Sequence, residues 1–423
     1  MPDRRRPLNL VDRALGLRPG EHRRVAALFA ASFTLGLALV LFDLAVGADL
    51  LAVAAPDELP WARVAVGAAV LVSGLALVTL QHRLSPAAFV AGPLLGLAVT
   101  GLAAVHNLAE APGFYALLGL YAAQRVLSAF ALVAYWTVAA DALDVAESRR
   151  LYALGSAGEL LAVLAVGLAA GPLRHALALP HLLDLSLVLL VAGAALLLPL
   201  ARRTRAVRPT TSSPTAAATR DEHRHAASCL AYHVAYNATC ILVEFTALIA
   251  VARANPGRPD AIAGLLGALI VARVAVAAAA RLFIAGRVLD RLGPGPGLAC
   301  GPVVVLTVGA VALLSGTATH APLTAAVALS TAEAAARHAL GKSAFMVAQR
   351  PLPPTLQTRT LVATETLAAP LTAGLVGGLL LLAPGTWLSG PVLLVIPCCT
   401  ALAWLLAARA LTRSYLRLVP GSP

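Results

Sequence analysis

The chain is 423 residues long, 59% hydrophobic and only 12% charged, with a mean hydropathy of +0.83 and a formal charge of +12. Soluble domains carry about 25% charged residues, so composition excludes a soluble globular protein. Apolar runs of about 20 residues recur along the whole length, each long enough to cross ~30 Å of hydrocarbon. Runs of that length favour helices over a β-barrel, whose strands are ~10 residues of alternating pattern.

The first 24 residues, MPDRRRPLNLVDRALGLRPGEHRR, form a charged arm that runs too long before the first apolar span for a cleaved signal peptide. Residues 7–18 are expected to form a short amphipathic helix on the inner membrane surface. Twelve spans follow: 25–46, 61–80, 87–105, 114–139, 151–170, 182–200, 227–252, 262–286, 297–315, 321–348, 361–383 and 391–410. Between the sixth and seventh lies ARRTRAVRPTTSSPTAAATRDEHRHA, a composition that reads as a flexible linker. The expected organisation is a cytoplasmic arm (1–24), a six-helix bundle (25–200), a cytoplasmic linker (201–226), a second six-helix bundle (227–410) and a cytoplasmic tail (411–423).

The basic residues are distributed unevenly. With the N-terminus taken as cytoplasmic, cytoplasmic segments hold 23 of the 32 Lys and Arg, and the outer segments hold only Arg63, Arg174, Arg253 and Arg258. This positive-inside pattern predicts a multi-pass protein of the plasma (inner) membrane with both termini cytoplasmic. It also assigns the net charge to topology, so no nucleic-acid partner is implied. Cys229, Cys240, Cys300, Cys398 and Cys399 form no CxxC pair, and no metal or cofactor site is expected. No nucleophile–base constellation has coherent spacing, which argues against an enzyme.

Ten Asp, Glu, Lys and Arg side chains lie three or more residues inside a span: Asp43, Arg125, Glu159, Glu244, Arg273, Arg281, Glu333, Arg337, Lys342 and Glu365. A charge at bilayer depth costs roughly 2.5–3.5 kcal/mol on insertion scales, so it usually faces a partner or a water-filled cavity. Several polar residues share helix faces with these charges. Ser32, Gly36 and Asp43 do so in the first span, Tyr152, Ser156 and Glu159 in the fifth, and His233, Asn237 and Glu244 in the seventh. Glu333 and Arg337 are one turn apart, as are His338 and Lys342. These stripes point to a polar pathway, or to ion pairs that hold two halves in register, since five of the ten are acidic and five basic.

The sharpest local motif is GRVLDRLG, where Gly286, Asp290, Arg291 and Gly293 fit G-x-x-x-D-R-x-G. It resembles the loop signature of the major facilitator superfamily. The stretch YWTVAADALDVAESRRLYALGSAGELLAVLAVG is similar to the ATP/ADP carrier branch, with Tyr135, Trp136, Asp141, Glu147, Arg149, Arg150, Gly155 and Gly158 in the matching layout. That resemblance covers most of the first half and little of the second. Known nucleotide exchangers use several intramembrane lysines, whereas Lys342 is the only lysine here.

The resemblance implies a twelve-helix transporter of two pseudo-repeat bundles, with the first, fourth, seventh and tenth helices around a central cavity. Residues expected to contact substrate are Arg125, Arg273, Arg337, Glu333, Asn237 and Trp136. Residues expected to gate or couple are Asp43, Glu159, Glu244, Glu365, Gly286, Asp290, Arg291, Asp141 and Arg149. The expected cargo is a small anionic or zwitterionic solute, a nucleotide-like compound among the options, moved with a coupled proton or against a counter-substrate. The alternatives are a proton-coupled exporter of apolar or cationic compounds that uses Asp43 and Glu244, and a non-transporting scaffold or receptor.

Overall fold

The computed structural model describes residues 17–18, 21–53, 59–80, 88, 90, 95–96, 101, 113–207, 219–254, 259–382 and 392–419. Most of the arm, most of the third span with Arg83 before it, and the middle of the linker lie outside these residues.

The described residues are helical almost throughout. The first two spans are His22–Val53 and Leu59–Leu80. The fourth to seventh are Phe114–Ala142, Val145–Ala176, Leu179–Val207 and Arg220–Ala254. The ninth is Pro294–Leu314 and the twelfth Val392–Leu418. The other three are each broken by a π-helical turn. The eighth runs Pro259–Ala280, Arg281–Ala285, Gly286–Leu292. The tenth runs Pro322–Ala336, Arg337–Gly341, Lys342–Ala348. The eleventh runs Pro354–Val362, Ala363–Ala368, Ala369–Leu382.

Local chemistry sets the breaks. Asp144 caps the fifth span by accepting from the Glu147 amide at 2.6 Å, and Glu147 returns a bond to the Asp144 amide at 3.1 Å. This reciprocal box satisfies two of the donors that a helix start leaves open. Gly293 has φ 70°, which a side chain would resist, and it ends the eighth span one residue before Pro294 opens the ninth. Lipid-facing positions are large and apolar, for example Leu375 and Leu379, both 69% exposed to the surroundings of the bundle.

Within the first half, the first span packs along the fifth and sixth. Ser32 donates to the Gly155 carbonyl and Ser186 to the Ala38 carbonyl, both at 2.7 Å. Within the second half, an aromatic cluster of Tyr232, His233, Tyr236, Phe345 and Trp404 joins the seventh, tenth and twelfth spans. Between the halves, the second span packs on the eleventh, and the fifth packs on the eighth and tenth.

The start of the first span, the end of the twelfth, the turn after the fourth and the turn after the tenth meet at one end of the bundle. Arg24 pairs there with Glu147, Arg150 with Glu21, and Arg149 reaches Tyr415. This is called the terminal end below.

Candidate functional site: acid–arginine contacts at mid-depth

Four helices bring acid–arginine contacts to mid-depth. Arg125 donates to Asp43 at 3.1 Å and to the Tyr121 hydroxyl at 2.7 Å, with its guanidinium 4.9 Å from the Tyr121 ring centre. Tyr121 lies one turn before Arg125, so its ring braces the guanidinium from the same helix. In the other half, Arg337 contacts Glu244 at 3.1 Å and Glu333 at 2.9 Å. The Cys240 thiol donates to Glu333 at 3.1 Å, and Arg273 donates to the Ser330 hydroxyl at 3.2 Å. Arg125 is also within electrostatic reach of Glu244, and Arg273 of Glu244, Glu333 and Arg337. The two halves' charges therefore form one field.

These groups are not equally enclosed. The side chains of Asp43, Arg125 and Glu244 are 45%, 41% and 50% exposed, whereas Arg337 is 15% and Glu333 is 0% exposed. Half-exposed charges at this depth need water or a ligand beside them. Asp43, Arg125, Glu244 and Glu333 each lie roughly ten helical residues, ~15 Å at 1.5 Å per residue, from the end opposite the termini. The half-exposed side chains of Asp43, Arg125 and Glu244 thus mark a solvated space in the middle of the bundle, with Glu333 buried behind it.

A second layer closes the bundle on the terminal side of this cavity. Lys342 bridges the halves to Glu159 at 3.2 and 3.3 Å. Arg281, 1% exposed, donates to the Ser156 carbonyl of the first half at 2.9 Å and to the His338 carbonyl of the second at 2.7 Å. The π-helical turns in the eighth and tenth spans start at Arg281 and Arg337, and that in the eleventh carries Glu365. An extra residue in a turn re-aims a side chain and frees backbone carbonyls, which is why such turns gather at functional sites.

The third layer is the terminal end itself. Arg350, just beyond the tenth span, donates to the Ala140 carbonyl and, at 2.5 Å, to the Leu143 carbonyl. It thereby caps the C-terminal carbonyls of the fourth span from across the halves. Arg149 donates to the Tyr415 hydroxyl at 2.9 Å. Gly286 lies against the Arg150 carbonyl, where a Cβ would come within 2.5 Å of the oxygen, so the fifth and eighth spans touch through backbone. Burial pushes the Glu21 carboxyl up, but hydrogen bonds from Arg150 and the Arg18 amide, with the Arg150 charge, outweigh it and hold the group below its ordinary value. A cavity of about 490 Å³ remains beside these latches, lined by Arg24, Asp141, Glu147, Arg350 and Gln357 among others.

The sequence matches no known protein family and no curated protein. Solved structures do match. The transporter FucP of the major facilitator superfamily, in the outward conformation, superposes with a TM-score of 0.63 at 15% identity, over 91% of this chain and 98% of that one. A bacterial homologue of the iron transporter ferroportin, in an outward-facing state, gives 0.66 at 14% identity over 92% and 98%. The human organic anion transporter MFSD10 gives 0.59 at 16% identity over 93% and 100%. The chain has the major facilitator fold.

In this fold the sequence-expected residues fall into distinct places. Arg125, Asp43, Glu244, Glu333 and Arg337 meet around the cavity, with Arg273 beside them. Glu159 and Glu365 lie in the second layer, where Glu159 engages Lys342 rather than Arg125, Arg273 or Arg337. Asp141 lines the terminal-end cavity, and Arg149 and Gly286 form inter-half contacts there. Asp290 and Arg291 are exposed at the same end, with Asp290 in electrostatic reach of Arg150.

Trp136 is packed between Tyr135 and Tyr152, with ring centres 5.2 and 5.3 Å away, and is 2% exposed. Asn237 donates to the His233 carbonyl of its own helix. The polar stripes are only partly solvated. Ser32, Tyr152, Ser156 and His233 are buried, because the terminal half of each stripe packs against a neighbouring helix. Helical periodicity did not single out Tyr121, Arg350 or Tyr415. Tyr121 had a readable signal, its one-turn spacing from Arg125. Arg350 and Tyr415 had none, because their partners come from the other half.

Proposed function

We propose that the chain is a secondary active transporter that moves a small anionic or zwitterionic solute by alternating access between its two halves. The observation that carries this reading is the pair of acid–arginine contacts, Asp43–Arg125 and Glu244–Arg337, that the two halves contribute at the same depth, with Asp43, Arg125 and Glu244 half-exposed. A solute carboxylate or phosphate competes with Asp43 or Glu244 for the same guanidinium, and arginine suits such bidentate exchange. The basic-residue distribution supports a plasma (inner) membrane orientation with both termini cytoplasmic. The closed terminal end is then the cytoplasmic gate, and the conformation is open outward.

Charge balance narrows the solute. Asp43, Glu244 and Glu333 offset Arg125, Arg273 and Arg337, so the cavity is close to neutral when empty. An entering anion leaves one carboxylate without its arginine. That carboxylate needs a proton or a cationic group on the solute, which favours proton-coupled entry of a monoanion or entry of a zwitterion. A multiply charged nucleotide would need more cations than this cavity supplies, so nucleotide-like compounds rank behind these despite the resemblance of the 135–158 stretch. Uptake into proteoliposomes by Arg125→Ala and Arg337→Ala variants tests the reading. Loss of uptake in both supports it, and unchanged uptake in both overturns it.

The exposure of Asp43 and Glu244 supports a second reading, export of cationic compounds by proton exchange. It predicts that Asp43→Asn and Glu244→Gln abolish activity while the arginine variants retain it. Half-exposed charges in an interior cavity weigh against a scaffold, for which fully enclosed pairs are expected.

A further inference from the structure

Burial changes abruptly at one depth of the bundle. In the fifth span residues 151–158 are all buried, and Glu159 is the first side chain beyond them with open surface. In the tenth span residues 343–349 are all buried, and Lys342 is the first with open surface. The seventh span changes at the same level. His233, which lies against Phe345 of the tenth, is buried, and Asn237 one turn outward is partly open. Glu159 and Lys342 are bridged at 3.2 Å, yet their side chains are 37% and 19% exposed. The terminal side of this pair is packed, so its open surface faces the space that holds Asp43, Arg125 and Glu244. The pair is the floor of that space as well as a bridge between the halves.

The floor lies well below the arginine layer. Gly36 of the first span packs on Glu159, where a Cβ would come within 3.0 Å of the Glu159 Cα. Asp43 is two helical turns outward on that same helix, ~10 Å at 1.5 Å per residue. Arg337 is more than one turn outward from Lys342 on the tenth span, ~7 Å on the same rise. Two layers, each holding an acid and a base, therefore face one space about 7–10 Å apart. A solute with both charges on one carbon meets only one layer. A linear solute whose ammonium and carboxylate are separated by several methylenes meets both.

We propose that the solute is such an extended zwitterion, whose carboxylate pairs with Arg125 or Arg337 and whose ammonium takes Glu159 from Lys342. Glu159 is the more open member of the floor pair, so an entering cation meets the acid before the base. A zwitterion adds no net charge, so this exchange needs no proton. The exchange also removes a bridge that holds the two halves together above the terminal end. Occupancy of the floor therefore loosens the gate, whereas a short or singly charged solute leaves the bridge intact. The inference deepens the transport reading and rests on it for the anionic contact at the arginines.

Calorimetric titration of the purified full chain in lipid with ε-aminocaproate, caproate and glycine tests it. Extended ε-aminocaproate separates its charges by about the spacing of the two layers, caproate lacks the cation, and glycine lacks the length. The wild type is expected to bind ε-aminocaproate at least about tenfold more tightly than either other probe. Glu159→Gln is expected to lose that advantage, because ε-aminocaproate and caproate then meet only the arginines. Lys342→Gln removes the competing cation and is expected to tighten ε-aminocaproate binding by about tenfold, with caproate unchanged. Absent binding of ε-aminocaproate, equal affinity of the wild type for the three probes, an advantage retained in Glu159→Gln, or unchanged binding in Lys342→Gln each overturns the proposal. If Glu159→Gln does not fold, Lys342→Gln carries the test alone. Binding is read without transport, so the expected pattern in a chain that takes up no solute rejects only the transport reading. Uptake of another solute that depends on Arg125 and Arg337, without a preference for ε-aminocaproate, rejects only the extended zwitterion.

Discussion

Arg125 donates to Asp43 at 3.1 Å, joining the fourth span to the first, and this contact recurs in the other half. Arg337 of the tenth span donates to Glu244 of the seventh at the same 3.1 Å. Each half thus presents one acid–arginine pair to the cavity. Removing Asp43 or Arg125 leaves the other charge half-solvated, so the effect falls on binding more than on folding. Asp43→Asn and Arg125→Ala are expected to shift stability by about 1 kcal/mol or less. Arg125→Ala is expected to reduce solute uptake at least about tenfold, the equivalent of ~1.4 kcal/mol. Thermal unfolding and proteoliposome uptake measured on the same preparations check the separation.

Glu333 should behave oppositely to Glu244 although both contact Arg337. Glu333 is fully buried and holds Arg337 from within its own helix, while Glu244 is half-exposed. Breaking a buried pair leaves an uncompensated charge and costs about 3 kcal/mol or more. Glu333→Gln is therefore expected to lower the unfolding temperature by several degrees, and Glu244→Gln to leave it nearly unchanged while impairing transport. Equal losses of stability would show that burial does not separate the two roles.

Arg350 acts as an inter-half latch because its guanidinium caps carbonyls at the end of the fourth span. Hydrogen bonds to a charged group contribute about 1.5–3 kcal/mol, so Arg350→Ala should shift the closed-to-open ratio of the terminal end by roughly ten- to a hundredfold. Spin-label distances between the turn at 143–144 and the turn at 350–353 report this directly. An unchanged distance distribution would remove Arg350 from the gate.

Gly286 predicts the same direction for a different reason. A Cβ at this position would meet the Arg150 carbonyl at 2.5 Å, and backbone cannot yield as a side-chain tip can. Gly286→Ala is expected to hold the fifth and eighth spans apart and favour opening of the terminal end, read by the same distances. The Gly→Ala change also favours helix by roughly 1 kcal/mol, so retained stability with an opened end is the expected pattern.

Glu21 gives a pH signature outside the spans. Its folded-state value is lowered by Arg150, so the pair's contribution is present above the ordinary value of about 4.5 and is lost as pH falls through the lower folded value. Unfolding temperature measured from neutral pH downward should show an acid-side loss that is smaller in Glu21→Gln. Identical acid limbs in the two proteins would exclude this contribution.

The fold was legible because its determinants are local and repeated. Span length, the Asp144–Glu147 box, and Pro after Gly at 293–294 each act within one helix or one turn, and the loop signature at Gly286 pointed to the fold. The intramembrane charges were legible one by one, because a charge in an apolar run stands out in any window. What periodicity could not specify was the partner of each. The stripe containing His233, Asn237 and Glu244 looked uniform, yet His233 is enclosed by Tyr236 and Phe345 while Glu244 faces the cavity. Trp136 likewise was expected at the substrate, yet it packs against Tyr135 and Tyr152.

The sequence by itself determined that this protein is a bundle of membrane helices, where its charges lie in depth, and that acids and bases balance within it. Each follows from hydrophobic length and residue counting, which need no knowledge of neighbours. Only the tertiary structure decided that Arg125 meets Asp43, that Arg337 meets both Glu244 and Glu333, and that Lys342 bridges to Glu159. Those pairings come from helices far apart in the chain, and π-helical turns in the eighth, tenth and eleventh spans shift the register of the side chains that follow. Contact across such distances is set by packing, and no local pattern encodes it.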